Sequence, residues 1–237
     1  MLVAAVALAA CLLVLAAVPA RLAAAPWVLR SPGLALLLWQ AIGLSGGLLA
    51  LELATTVALA PAGDTHADAV TAVLTGDPGR LPVWAGVALA AAVLLLLHLL
   101  TVLLGSAAVT VRSRRAHRAL VDLVATRNPL LAGTKVVASD LPVAYCLPGL
   151  RPRVVLSRGA LALLADDEVR AVLAHEKAHV DQRHDLVVLP FVALRSTFPR
   201  LGVVRTAVAE VGLLVEALAD DRAVRTHDRA VLARALY

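Results

Sequence analysis

Three long apolar runs decide most of what this chain can fold into. Residues 2–20 carry no charge before Arg21, residues 33–60 carry one, Glu52, and residues 83–109 carry no Asp, Glu, Lys or Arg. About 20 consecutive apolar residues cross the hydrocarbon core of a bilayer, and a segment alone in lipid satisfies its backbone polar groups as a helix. Composition follows from these runs. The chain is 60% hydrophobic and 16% charged, with a mean hydropathy of +0.84, against about 45–50% and about 25% in ordinary soluble domains. The apolar excess lies before residue 112 and most of the arginine after it. The expected fold is a membrane α-helical part with three transmembrane helices, at about 2–20, 33–58 and 83–109 within residues 1–110, followed by an α+β, mostly helical domain over 111–237.

Details inside the runs refine this. Ala17-Val18-Pro19-Ala20 has the look of a signal-peptidase site, but Met1-Leu2-Val3 offers no basic segment ahead of it, so a retained helix is expected. Gly43 and Gly47 make a small-xxx-small pair that suits close helix approach. Glu52 falls near the end of its run and is read as reaching the interface, and His98 as a helix-packing residue rather than a ligand. Arg21 and Arg30 flank the first loop, Arg80 stands among acids in the second, and Arg112, Arg114, Arg115 and Arg118 follow the third run. The excess of basic residues on cytoplasmic loops puts the domain after residue 111 in the cytoplasm of a multi-pass membrane protein. Membrane topology and anionic headgroups also account for the net charge of +5, and no direct nucleic-acid binding is expected. Cys11 lies in an apolar run and Cys146 in the later domain, without a CxxC pattern, so a metal would have to be held by His and carboxylate.

Beyond Val111 the pattern changes. Residues 116–127 place Leu120, Leu123 and Val124 on one helical face. Strands are expected at 134–138, 141–147 and 153–157, the last two joined through Pro148-Gly149. A short helix follows at 159–164, then a longer one with Asp166 as N-cap and Asp167 and Glu168 in its first turn. Residues 186–201 are apolar but interrupted by Pro190, Arg195 and Pro199, and read as domain core or a membrane-abutting segment. One last helical stretch is expected from about Thr206 to Leu236.

The longer helix contains His175-Glu176-Lys177-Ala178-His179. Four residues apart on a helix, His175 and His179 share a face and can bind one Zn²⁺, with Glu176 as the base that deprotonates a water there. A catalytic zinc takes three protein ligands, and three residues are available for the third: His184, Asp185 and Glu216. A ligand at Asp185 would need a turn near Gln182, where glycine is missing. His184, only five residues beyond His179, reads as sharing its helix and pointing off the metal face, as a surface histidine or one behind a ligand. Glu216 fits better, because Asp220 lies one helical turn on and can accept the N–H of a ligating imidazole. His227 and Arg195 are weak candidates for a proton donor or oxyanion partner.

The stretch Asp166–Val180 with Glu216 and Asp220 resembles integral-membrane gluzincin metallopeptidases, of the BlaR/MecR type and of the HtpX and CAAX-prenyl-endopeptidase type. Three spans ahead of a cytosolic site and His184-Asp185-Leu186 after the motif are closer to the BlaR/MecR type, and Tyr145–Gly149 and Val154–Gly159 resemble the strand pair of both. The resemblance implies a zincin-like domain holding one Zn²⁺ per chain, peptide-bond hydrolysis, Glu216 as third ligand and a strand near Val143–Leu147 that pairs with extended substrate. In the BlaR/MecR type a cytosolic protease leads to loss of a DNA-bound repressor, which makes a transcriptional repressor in a signalling pathway one candidate substrate. Those sensors continue into a further span and an extracellular penicillin-binding domain. This chain stops at Tyr237, so a β-lactam sensor role is not expected and the domain reads as cut short at its C-terminus. Partners expected are the lipid bilayer and a protein or peptide substrate. Two other readings compete: a non-catalytic membrane signalling scaffold with a structural or vestigial zinc site, and, ranked last, a transporter built on Glu52 and His98.

Overall fold

The structure is a computed structural model that describes residues 1–75, 82–127, 134–147 and 153–236. They form two compact units, residues 1–102 with 194–207 and residues 103–193 with 208–237. Pro148-Gly149, the expected strand connection, lies outside the described residues, as does Arg80.

In the first unit, α1 (Leu2–Ala23) and α2 (Pro32–Leu59) pack on each other, and Ala35, Leu36 and Trp39 of α2 are buried. Gly43 and Gly47 do not mediate that packing: among the described residues, a Cβ on either would meet no atom within 4 Å, whereas one on Gly46 would come 3.5 Å from Leu15 Cδ2. Glu52 ends beside His66, the first residue of α3 (His66–Leu74), at 3.2 Å, and Thr56 Oγ1 lies 3.0 Å from the same ring nitrogen. α1, α2 and α4 (Val83–Val124) are each long and apolar enough to cross a membrane. Their leucines are largely exposed, as a helix facing lipid requires. His98 is also exposed, so its expected packing role is not seen.

α4 has 42 residues. At 1.5 Å per residue it is about 63 Å long, roughly twice the hydrocarbon thickness. The third span and the helix expected after it are therefore one unbroken helix, and residue 111 lies inside it. Its far end meets the sheet through a different stripe from the one expected. Val121 is 3% exposed and packs with Leu147 and Val155, while Leu123 is 83% exposed and Leu120 and Val124 also face outward. Asp122 fixes this choice by pairing with Arg153 at 2.9 Å and Lys135 at 3.6 Å.

In the second unit the sheet has β1 (Thr126–Arg127), β2 (Thr134–Val137), β3 (Ala144–Leu147) and β4 (Arg153–Ser157) in the order β1-β2-β4-β3. β2 and β4 are parallel and the other pairs antiparallel, which leaves β3 at an edge. Ser157 Oγ accepts from Val143 N–H and Ala160 N–H and donates to Leu141 O, so one hydroxyl closes the turn into α5 (Arg158–Leu163). Gly159 is needed there, because a Cβ would fall 2.0 Å from Asp140 O.

α6 (Asp166–Asp181) buries Val169, Ala171, Val172 and Ala178 and packs against β3. Asp166 is not its cap. Ala165 holds that position, and its N–H donates to Glu168 Oε2 at 3.0 Å, with Asp166 already helical. The apolar segment expected at 186–201 is mostly α7 (His184–Thr197), with Pro190 inside it and Phe191 and Ala193 buried. The single last helix expected is two, α8 (Gly202–Ala223) and α9 (Arg229–Leu236). Asp228 Oδ1 accepts from Ala230 N–H at 2.7 Å and starts α9 anew. The break lets Leu232 fold back onto Ala171 and Ala223, a core that one straight helix could not reach.

Candidate metal centre

α6 brings His175 and His179 to one face, and α8 brings Glu216 to meet them. His175 Nε2 and His179 Nε2 are 3.1 Å apart, and Glu216 Oε2 lies 3.4 Å from the first and 3.5 Å from the second. Tetrahedral ligands at roughly 2.0–2.2 Å from one ion would sit about 3.4 Å from each other. The three donors thus form a triangle of the size a zinc-like cation takes. The residue types, two imidazoles and a carboxylate, suit such a cation as well. Among the described residues this is the group of ligand-bearing side chains close enough to hold an ion.

Each group in the triangle has a distinct setting. His175 is 5% exposed. Burial alone pushes its pKa down, but Glu216, Asp220 and Glu176 outweigh that and leave it raised. Its Nδ1 lies 2.9 Å from Asp220 Oδ1, off-angle for a hydrogen bond, and neither atom has another hydrogen-bond partner among the described residues. Glu216, 60% exposed at its side chain, is held well below the usual carboxylate range by its contacts with His175 and His179. Glu176 shows the opposite shift: burial raises its pKa although both imidazoles pull it down. One of its oxygens, Oε2, accepts from Cys146 N–H on edge strand β3 at 3.0 Å. The Cys146 thiol itself is pushed up to about 11, mainly by burial.

The other candidates fall elsewhere. Asp185 makes a short ion pair with Arg114 of α4, and so is engaged away from the triangle. His227 Nδ1 is 2.9 Å from Thr226 Oγ1, and Arg195 is exposed on α7. His184 is neither on the surface nor on the helix of His179. α6 ends at Asp181, Arg183 takes a left-handed conformation at φ 50°, and α7 starts at His184. That turn folds the His184 ring, 4% exposed, back under His179. His184 Nδ1 is 2.9 Å from His179 Nδ1, and His184 Nε2 is 2.7 Å from Gln182 Oε1. Burial, with the His179 charge, lowers the His184 pKa to about 4. The sequence set His184 aside as a ligand and offered two places for it, the surface or behind a ligand; it lies buried behind His179. The spacing to His179 was visible, but the reversal at Gln182-Arg183, without glycine, was not.

Residues 112–226 match the model of peptidase family M48. A stretch of 73 residues is 42% identical to a protease HtpX homolog of Aeropyrum pernix, covering 29% of this chain and 23% of that relative. The matched part is thus under a quarter of the relative's length. No solved structure matches the chain. Of the two groups that the sequence resembles, the comparisons return the HtpX type. Over residues 112–226, just under half of its length, the chain is thus similar to peptidase family M48, and among the described residues three helices are long and apolar enough to cross a membrane.

Proposed function

We propose that the protein is a multi-pass membrane zinc endopeptidase in which His175, His179 and Glu216 hold one Zn²⁺ and Glu176 is the general base. The observation that carries this reading is the triangle of donors with edges of 3.1, 3.4 and 3.5 Å. Three protein donors leave a coordination position open for chemistry, whereas a closed structural zinc takes four, which argues against a scaffold with a structural ion. Zinc, when bound, supplies Lewis acidity and lowers the pKa of water from 15.7 to about 7. Glu176 would serve there as the base that accepts a proton from water and hands it to the leaving amine. Cys146 N–H keeps one of its oxygens in place. Asp220 lies 2.9 Å from Nδ1 of His175, where its negative charge favours a proton on Nδ1 and would leave Nε2 free for a metal.

Substrate is read as an extended stretch of a cytosolic or membrane-proximal protein, laid along the edge of β3 by strand addition. A transcriptional repressor is one such substrate. Residues 1–110 form the membrane region of this scheme and residues 111–237 its cytoplasmic peptidase part. The arginines at 112, 114, 115 and 118 support that side for the site.

The test is zinc content and cleavage of an unfolded protein such as casein, for full-length protein in detergent. Wild type should hold about one zinc, and Glu176→Ala should keep it while cleavage falls about 10²–10⁴-fold. Zinc-free wild type, or equal cleavage by both, sinks the reading.

A further inference from the structure

The two imidazoles at the site are backed differently, and only one backing belongs to the metallopeptidase reading given above. His175 has Asp220 behind it. Behind His179 lies a second imidazole, followed by an amide. We propose that His184 and Gln182 are positioning residues that fix the tautomer and ring orientation of His179 for metal binding. The proposal rests on His175, His179 and Glu216 being the ligand set.

The proton assignments leave no freedom once His179 Nε2 is directed into the triangle. A neutral imidazole has one N–H, so with the Nε2 electron pair turned toward His175 and Glu216, the proton sits on Nδ1. His179 Nδ1–H then donates to His184 Nδ1 across 2.9 Å. That makes His184 Nδ1 an acceptor and places its proton on Nε2, which donates to Gln182 Oε1 across 2.7 Å. Each nitrogen of His184 thus has one partner. In a ligating histidine the bond at the other nitrogen decides which nitrogen is free for metal. The backbone supports the arrangement at a cost: a non-glycine residue with positive φ, here Arg183, is about 1 kcal/mol or more above helical geometry. That conformation aims a buried ring at His179, and His184 is too polar to be buried without partners at both nitrogens.

The test is zinc affinity by chelator competition on full-length protein, with thermal melting of the metal-free forms beside it. His184→Phe keeps a ring of similar size and removes the acceptor. It should weaken zinc binding about 10–100-fold with the metal-free melting temperature little changed. His184→Asn, whose amide oxygen can take the place of Nδ1, should recover most of the loss. Zinc bound by His184→Phe within about twofold of wild type overturns the proposal, as does an Asn variant no better than Phe. Where either variant fails to melt cooperatively, Gln182→Met decides, since Gln182 is exposed. Weakening of about threefold or more supports the chain, and unchanged affinity refutes it. Zinc-free wild type would instead sink the ligand set itself, so the two failures are distinct.

Discussion

The apolar half of α4 and the site helix α6 handle their side chains in opposite ways. α4 turns Leu94 and its neighbours outward and buries little. α6 sets Asp166, Asp167 and Glu168 at its start and draws His175 inside. A leucine-covered surface is stable when the surroundings are lipid, and a buried imidazole is stable when other polar groups meet it. The contrast teaches that "inside" means something different in the two regions. In one, apolar side chains face the solvent, and in the other, polar side chains face one another.

The sharpest way to break that contrast is a paired substitution. Leu94→Arg should cost about 3 kcal/mol of membrane insertion, read as loss of the membrane-integrated fraction. Leu163→Arg, at an equally exposed leucine of α5, should stay within about 0.5 kcal/mol by thermal melting. Equal tolerance at both positions would mean that α4 does not face lipid. A smaller effect sharpens the polar side. Asp220→Asn keeps the size of the side chain opposite His175 Nδ1 and removes its charge. Zinc affinity by chelator competition should fall about 10–100-fold, and an unchanged value would leave His175 oriented by something else. The smallest effect lies at the rim. Arg234 Nε is 3.3 Å from Glu168 Oε1, joining α9 to the start of α6, with an exposed guanidinium. Arg234→Ala should lower stability by about 0–1 kcal/mol in thermal melting and leave zinc affinity alone.

Much of the architecture was legible because its signals are local. Spans announce themselves by length and lack of charge, and α1, α2 and α4 start within a residue or so of the expected positions. The strands at 134–137 and 153–157 agree with their β-branched runs. Errors came where two local patterns were consistent and packing chose between them. Leu120, Leu123 and Val124 make a good apolar stripe, but the sheet offers Leu147 and Val155 to Val121 instead. The stretch from Thr206 reads as one helix because nothing before Thr226 stops it, yet Leu232 gains its core contacts only if the chain turns back.

The site divides in the same way. His175, Glu176 and His179 were readable because helical spacing alone puts two imidazoles on one face. By itself, then, the sequence determined the helices, the motif face and the residue types available to a cation. The tertiary structure decided how distant residues reach that face. Glu216, favoured in the sequence because Asp220 lies one turn on, is brought there from 37 positions further along by the placement of α8. His184 arrives through a left-handed Arg183, and Cys146 contributes a backbone N–H because β3 is an edge strand beside α6. The physical reason is range. Periodicity and charge act within a few turns of chain, whereas these contacts depend on how packed elements are aimed at one another.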